Sequence, residues 1–255
     1  MIALITGASK GIGKELAIEF AKHKTDLILV ARNESLLKEL SKKLTEDFKI
    51  STYVISIDLS IPNNAEKLYE DVANLGLSVD YLINNAGFGD QGEFAEANLQ
   101  KQVNMINLNV LTLTKLTHLF VQQMKKKRQG KILNLASTAS FQPGPSMSVY
   151  FATKHYVLAF TEAIAEELKP YGIQVSALCP GPTKSEFAAT AGFTMLENAK
   201  PNRFPSSKEV AKFGYAKLMA GKVISIHGWF NTVQAVLAQL APRSIVRKIA
   251  YLKIK

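Results

Sequence analysis

The sequence predicts an α/β protein: one doubly wound, parallel, seven-stranded sheet with helices on both faces. Three observations carry that expectation. Short β-branched runs alternate with helical patterns along the 255 residues, as they do when crossover helices join parallel strands. The second to sixth runs are nearly continuous apolar stretches, as strands are when helices cover both faces of a sheet. No repeat, low-complexity tract or Pro/Gly-rich linker divides the alternation, so residues 1–255 read as one domain.

Taken in order, strands are expected near 2–6, 26–31, 51–57, 81–84, 131–136, 174–179 and 223–226. The first leads through a glycine-rich turn into a helix over 14–23. Residues 34–48 place Leu36, Leu37, Leu40, Leu44 and Phe48 at helical spacing, and 98–127 and 148–169 read as two longer helices. Within the former, Leu111, Leu113, Leu116, Leu119 and Phe120 form an apolar set larger than one sheet-facing stripe requires, which predicts self-association through these two helices. Near the C-terminus Trp229, Val233, Val236, Leu237 and Leu240 form a stripe that Pro242 ends. Ile245, Ile249 and Leu252 form a second stripe, flanked by Arg247, Lys248, Lys253 and Lys255. Both suit a cover over the domain's own core or a neighbouring subunit. They equally suit an interfacial arm touching an anionic surface.

Composition sets the limits. At 47% hydrophobic and 20% charged the chain is neither disordered nor fibrous. The single cysteine, Cys179, provides no intramolecular disulfide and no thiolate cage, and His23, His118, His155 and His227 lack metal-ligand spacing, so no metal site is expected. The N-terminus shows no charged region followed by a cleavable apolar stretch, and no window is long and apolar enough for a membrane span. A cytoplasmic protein is the expectation. Ten of the 31 basic residues but only one of the 21 acidic ones, Glu209, lie in 201–255, so that segment carries +9 of the net +10. Solvated helix faces or an anionic substrate, cofactor or surface would account for it. The run Lys125-Lys126-Lys127-Arg128 precedes Gly130 at a helix end, where cations complement the dipole, and no nucleic-acid partner is expected.

Thr6-Gly7-Ala8-Ser9-Lys10-Gly11-Ile12-Gly13 follows the first strand directly. Glycines there let the chain turn sharply and let a diphosphate approach backbone at the positive end of a helix. The second strand ends in Val30-Ala31-Arg32-Asn33, where an acidic residue would hold a ribose 2′-hydroxyl and an arginine favours a 2′-phosphate. With Lys10 expected close across the loop, Arg32 favours NADP, the alternative being a solvated arginine at a strand end. Tyr150 and Lys154, four apart on a helix, share one face. A nearby ammonium pulls a phenol's pKa down from about 10, making Tyr150 a usable acid for a carbonyl oxygen or base for an alcohol. Ser137, at the end of the fifth strand, would donate a second hydrogen bond to the same oxygen.

Together the glycine loop, Asp58 after the third strand, Asn84-Asn85-Ala86-Gly87 after the fourth, Asn109, Ser137, Tyr150-Phe-Ala-Thr-Lys154 and Pro180-Gly181 resemble the short-chain dehydrogenase/reductase family over residues 1 to about 190. The resemblance implies a Rossmann fold and reversible hydride transfer between a nicotinamide and a carbonyl or secondary alcohol. It implies catalytic roles for Asn109, Ser137, Tyr150 and Lys154, with Asn109 interrupting regular helix bonding and holding a relay water. Asn104 and Asn107 share that segment, and Asn109, followed by Val110-Leu111-Thr112, fits the pattern best. By the same resemblance Gly7, Ser9, Lys10, Gly11, Ile12 and Gly13 form the cofactor cradle, Asp58 meets the adenine edge, and Asn85 and Gly87 line the adenosine ribose side. Tyr150 and Lys154 also touch the cofactor, Lys154 at the nicotinamide ribose. Pro180, Gly181 and either Thr183 or Ser185 stand at the carboxamide. Residues 186–255 would form a substrate lid and basic extension. Phe88-Gly89, 141–147, 187–195 and residues beyond 200 are mostly apolar candidate walls, suiting a ketone, acyl or steroid-like substrate. A homodimer or homotetramer is implied, with peripheral membrane contact through the C-terminus a further expectation. The rival reading is a cofactor-binding scaffold or sensor without turnover, a type that usually lacks one of the four catalytic residues.

Overall fold

A strand covered on both faces must send alternate side chains into two cores. The first strand, β1 (Ile2–Thr6), does so: Ala3 and Ile5 enter one apolar cluster and Leu4 another, all fully buried. In this computed structural model, which describes residues 1–184 and 204–254, β1 pairs in parallel with β2 (Asp26–Ala31) on one side and β4 (Tyr81–Asn84) on the other. Ile5 stands level with both Leu29 and Ile83. Adding β3 (Thr52–Ser56), β5 (Gly130–Leu135), β6 (Ile173–Cys179) and β7 (Ile224–Ile226) completes one parallel seven-stranded sheet in the order β3-β2-β1-β4-β5-β6-β7. The expected α/β fold is the observed one, and the direction of winding reverses between β1 and β4.

The helices, in chain order, are α1 (Gly11–Lys22), α2 (Glu34–Phe48), α3 (Asn64–Asn74), α4 (Leu99–Ile106), α5 (Leu113–Lys127), α6 (Ser148–Leu168), α7 (Ser207–Met219), α8 (Trp229–Leu240) and α9 (Arg243–Ile254). One face of the sheet is covered by α1, α2 and α7 through Leu16, Phe20, Leu37, Leu44, Val210 and Leu218. The other is covered by α3, α5 and α6 through Leu68, Val72, Leu116, Phe120, Ala165 and Leu168. Fully buried side chains such as Phe20 and Phe120 would each cost about 3–5 kcal/mol if truncated to alanine. Asn33 starts α2 by accepting from the Leu36 N–H at 3.0 Å, and Ser206 with Glu209 forms a reciprocal capping box at the start of α7.

Two expectations need correction. The helix expected over 98–127 is broken: α4 and α5 are separated by a π-helical segment, Asn107–Thr112. The apolar set offered as a subunit contact is also mostly spent inside the protomer, because Leu113, Leu116 and Phe120 are buried against the sheet. The apolar side chains left outside are Leu99, Val103 and Ile106 of α4 and Leu111 of the π segment, with Tyr156 of α6 also exposed. No helix among the described residues is long and apolar enough to cross a membrane.

Candidate active site

Apart from Asn109 in the π segment and Tyr150 and Lys154 on α6, the sequence-selected residues that the structure describes follow the C-terminal ends of the strands. The glycine loop follows β1, Arg32 follows β2, Asp58 follows β3, Asn85 to Gly87 follow β4, Ser137 follows β5, and Pro180, Gly181 and Thr183 follow β6. In open α/β sheets the ligand crevice lies outside these ends, where the winding reverses. Ser185 and the candidate wall 187–195 lie outside the described residues.

The loop after β1 is shaped for close approach. Gly7 has φ +67°, and a Cβ on Gly13 would run into the Gly7 carbonyl oxygen. The N-terminus of α1 carries neither a side-chain cap nor an acidic residue in its first turn, so its positive end suits an anion. Ser9 and Lys10 complete the turn into α1, which begins at Gly11, and Ile12 packs against the core beneath.

Thr6 fixes this loop to the next one. Its buried hydroxyl accepts from Asn85 N at 3.0 Å and Ala86 N at 2.9 Å, and donates to the Ile83 carbonyl at 3.2 Å. The Asn85 side-chain amide donates to the carbonyls of Thr6 (2.8 Å) and Gly7 (3.3 Å), so Asn85 braces the glycine loop from below. Gly87 lies farther along: a Cβ there would stand 2.9 Å from Asn109 Oδ1 and 3.8 Å from Lys154 Nζ, which puts it at the catalytic end. On the outer side Asp58 Oδ1 accepts from the Ser60 N–H (2.9 Å) and hydroxyl (2.7 Å), while its Oδ2 stands 3.9 Å from the Arg32 guanidinium.

The catalytic candidates converge on the ends of β5 and α6. Asn109, in the π segment, is buried; its side-chain N–H group donates to the Phe88 carbonyl (3.0 Å) and Thr153 hydroxyl (3.1 Å), and its oxygen accepts from Phe88 N (3.2 Å). Lys154 Nζ donates to the Leu135 carbonyl at 2.6 Å and stands 5.8 Å from the centre of the Tyr150 ring. The Ser137 hydroxyl interacts with the Tyr150 phenol, accepts from Ala139 N at 3.1 Å and faces the Pro180 carbonyl at 3.4 Å. Thr183 donates back to the Gly181 carbonyl at 2.9 Å. Thr153, the Leu135 carbonyl and Phe88 backbone were absent from the sequence reading. A polar residue directly before Lys154 was the available signal for Thr153, whereas backbone partners leave none.

Burial sets the electrostatics, which corrects the expected lowering of the Tyr150 pKa. Desolvation pushes the phenol up to about 12, opposed by the Ser137 hydroxyl. Desolvation also pulls Lys154 down to about 8, opposed weakly by Cys179. The ammonium donates to the Leu135 carbonyl, and the loss of water is the larger effect on the phenol. Tyr150 is therefore protonated, and a proton donor, across the neutral range. Around it Met105, Ala139, Met147, Phe88 and Phe151 form an apolar wall.

A family model described as short chain dehydrogenase matches residues 1–195. The very-long-chain 3-oxoacyl-CoA reductase of Rattus norvegicus is 35% identical over 182 residues, covering 70% of this chain and 58% of that protein. Its Homo sapiens counterpart is 31% identical over 211 residues, covering 80% and 66%. The matched stretch thus spans about 58–66% of these relatives' length. Among solved structures, a short-chain dehydrogenase from Sphingobium yanoikuyae in complex with NADPH superposes with a TM-score of 0.83 at 27% identity, covering 95% of this chain and 97% of that one. The bulky-bulky ketone specific alcohol dehydrogenase from Comamonas testosteroni gives 0.79 at 28% identity, covering 95% of each.

Proposed function

The chain belongs to the short-chain dehydrogenase/reductase family, and from that premise we propose that it is an NADPH-dependent reductase of a carbonyl on an apolar chain, acting reversibly as an alcohol dehydrogenase. One observation carries the reading: Ser137 and a protonated, buried Tyr150 face each other beside Lys154, at the strand ends that also carry the glycine loop. A bound nicotinamide supplies the hydride. Ser137 and Tyr150 donate hydrogen bonds to the carbonyl oxygen, and Tyr150 passes its proton to that oxygen as negative charge develops there. The Lys154 ammonium then stabilises the phenolate left behind. Asn109, held by Phe88 and Thr153, fixes the π segment against the lysine's surroundings.

The cradle fits a dinucleotide through the positive φ of Gly7, the missing Cβ of Gly13 and the uncapped end of α1. Preference for NADPH over NADH is read from Arg32 and Lys10, and the NADPH-bound structural neighbour supports it. The apolar wall around Tyr150 and the naming of the rat and human relatives support a 3-oxoacyl thioester as the first substrate to try. NADPH consumption with 3-oxoacyl thioesters of graded chain length, beside bulky ketones and steroid ketones, tests this. Turnover with one class, lost in Tyr150→Phe, is expected; NADPH binding without turnover on any carbonyl would leave the non-catalytic scaffold as the reading. A dimer or tetramer assembled through Leu99, Val103, Ile106, Leu111 and Tyr156 is part of the proposal, and sedimentation showing only monomer at micromolar concentration would remove it.

A further inference from the structure

The helix α8 is amphipathic in the wrong sense for a core element. At 100° per residue, Trp229, Phe230, Val233, Val236, Leu237 and Leu240 fall within an arc of about 120°, and all six are exposed, Trp229 at 79%. The opposite side, Asn231, Ala235 and Ala238, is the one that docks on the protein: Ala235 joins the cluster of Phe141 and Cys179, and the Asn231 amide sits against Gly181. In α9, Val246 and Ala250 are buried while Ile245, Ile249 and Leu252 point outward. Two successive helices thus attach through small residues and present their large apolar ones to solvent, a pattern that marks an interaction surface.

Charge selects the occupant. After Glu209 the chain contains no acidic residue, and it carries eight basic ones, of which Arg243, Arg247, Lys248 and Lys253 lie on α9. Neither helix carries a carboxylate, so a second copy meeting this face about a two-fold axis would bring no charge partner for the cations around it. An anionic bilayer supplies what both halves of the surface need, hydrocarbon for the stripes and phosphate for the cations, with Trp229 at the depth where indoles settle. We propose that α8 and α9 dock this protein on anionic lipid membranes. Because α8 also packs on the short turn Thr138–Phe141 that follows Ser137, the docked face adjoins the candidate active site. The inference itself does not depend on catalysis.

Trp229 is the chain's single tryptophan, so its emission reports this face alone. The full-length protein is mixed with phosphatidylcholine vesicles, with or without phosphatidylglycerol, and followed by cosedimentation and fluorescence. Binding and a blue shift only with phosphatidylglycerol are expected. Reversing Arg243, Arg247 and Lys248 to Glu should lower partitioning about 100-fold. The matched reversal of Lys42, Lys43 and Lys49 on the opposite part of the chain should leave most of it. Leu237→Ser with Leu240→Ser, both at exposed positions, should remove the blue shift without changing the melting temperature. Four results would overturn the proposal: no binding to either vesicle, equal losses in the two charge-reversal variants, emission of a buried indole in the lipid-free monomer, or lipid-independent self-association that Leu237→Ser with Leu240→Ser abolishes.

Discussion

Tyr150 and Lys154 are 8% and 6% exposed, whereas the Arg32 side chain, along the same edge of the sheet, is 74% exposed and reaches Asp58 only at 3.9 Å. In the first region position is imposed by packing and by bonds to fixed carbonyls, and the titrating groups are moved far from their solution behaviour. In the second the charge is hydrated, adjustable and screened. A proton must be placed on one atom of the substrate, which requires the rigid region. On the proposed reading a 2′-phosphate need only be preferred, which solvated charge achieves without the cost of burial.

Substitutions can break that contrast at its strongest point first. Tyr150→Phe should lower kcat by about 10²–10⁴-fold with NADPH affinity changed less than about threefold, measured by turnover and by cofactor fluorescence; retained turnover would place the acid elsewhere. The pH profile sharpens it next. With Tyr150 protonated up to about 12 and Lys154 losing its charge near 8, carbonyl reduction should fall as pH rises through about 8, and Arg32→Ala should leave that profile in place.

Stability gives the third test. In the folded protein Lys154 binds its proton less tightly than in the unfolded chain, about 8 against 10.5. Below pH 8 it therefore opposes folding by ~3 kcal/mol, less the bond to the Leu135 carbonyl, and this opposition fades as pH rises from 8 to 10.5. Lys154→Met should be inactive yet melt several degrees higher at pH 7, with the gain shrinking towards pH 10.5. The smallest effect belongs to the exposed region. Arg32→Ala should weaken NADPH about tenfold at low salt and NADH scarcely at all, and 0.5 M salt should erase most of the difference. Equal losses for both nucleotides would show that Arg32 does not meet the 2′-phosphate.

Much of this was legible in the residues, and the exceptions share a cause. β1, β2, β4 and α2 fall where apolar periodicity placed them, because both faces of each strand and one face of the helix are buried. The helix α7 was not singled out, since its inward side mixes Val210 and Leu218 with Ser207, Ala211 and Gly214, small residues that dilute the periodic signal. Periodicity located the stripes of α8 and α9 but carries no information on which side of a helix meets the protein, so their outward orientation had to come from the structure. At the site, residue types announced Ser137, Tyr150 and Lys154. The raised phenol pKa was hidden because it comes from burial of the side chain, which residue type and spacing do not reveal.

The place of β1 in the sheet has a consequence for how the chain folds. The strand that comes first in the sheet's chain order ends up interior, with β2 on one edge and β4 on the other. Its second edge stays open until residues 81–84 have been made, and the Thr6 hydroxyl waits across the same interval for Asn85 and Ala86. During that time an apolar strand with exposed backbone donors and acceptors is a template for pairing with another nascent chain. Completion of the sheet centre is thus a non-local, slow event, and the glycine loop takes its final shape only when that event is over.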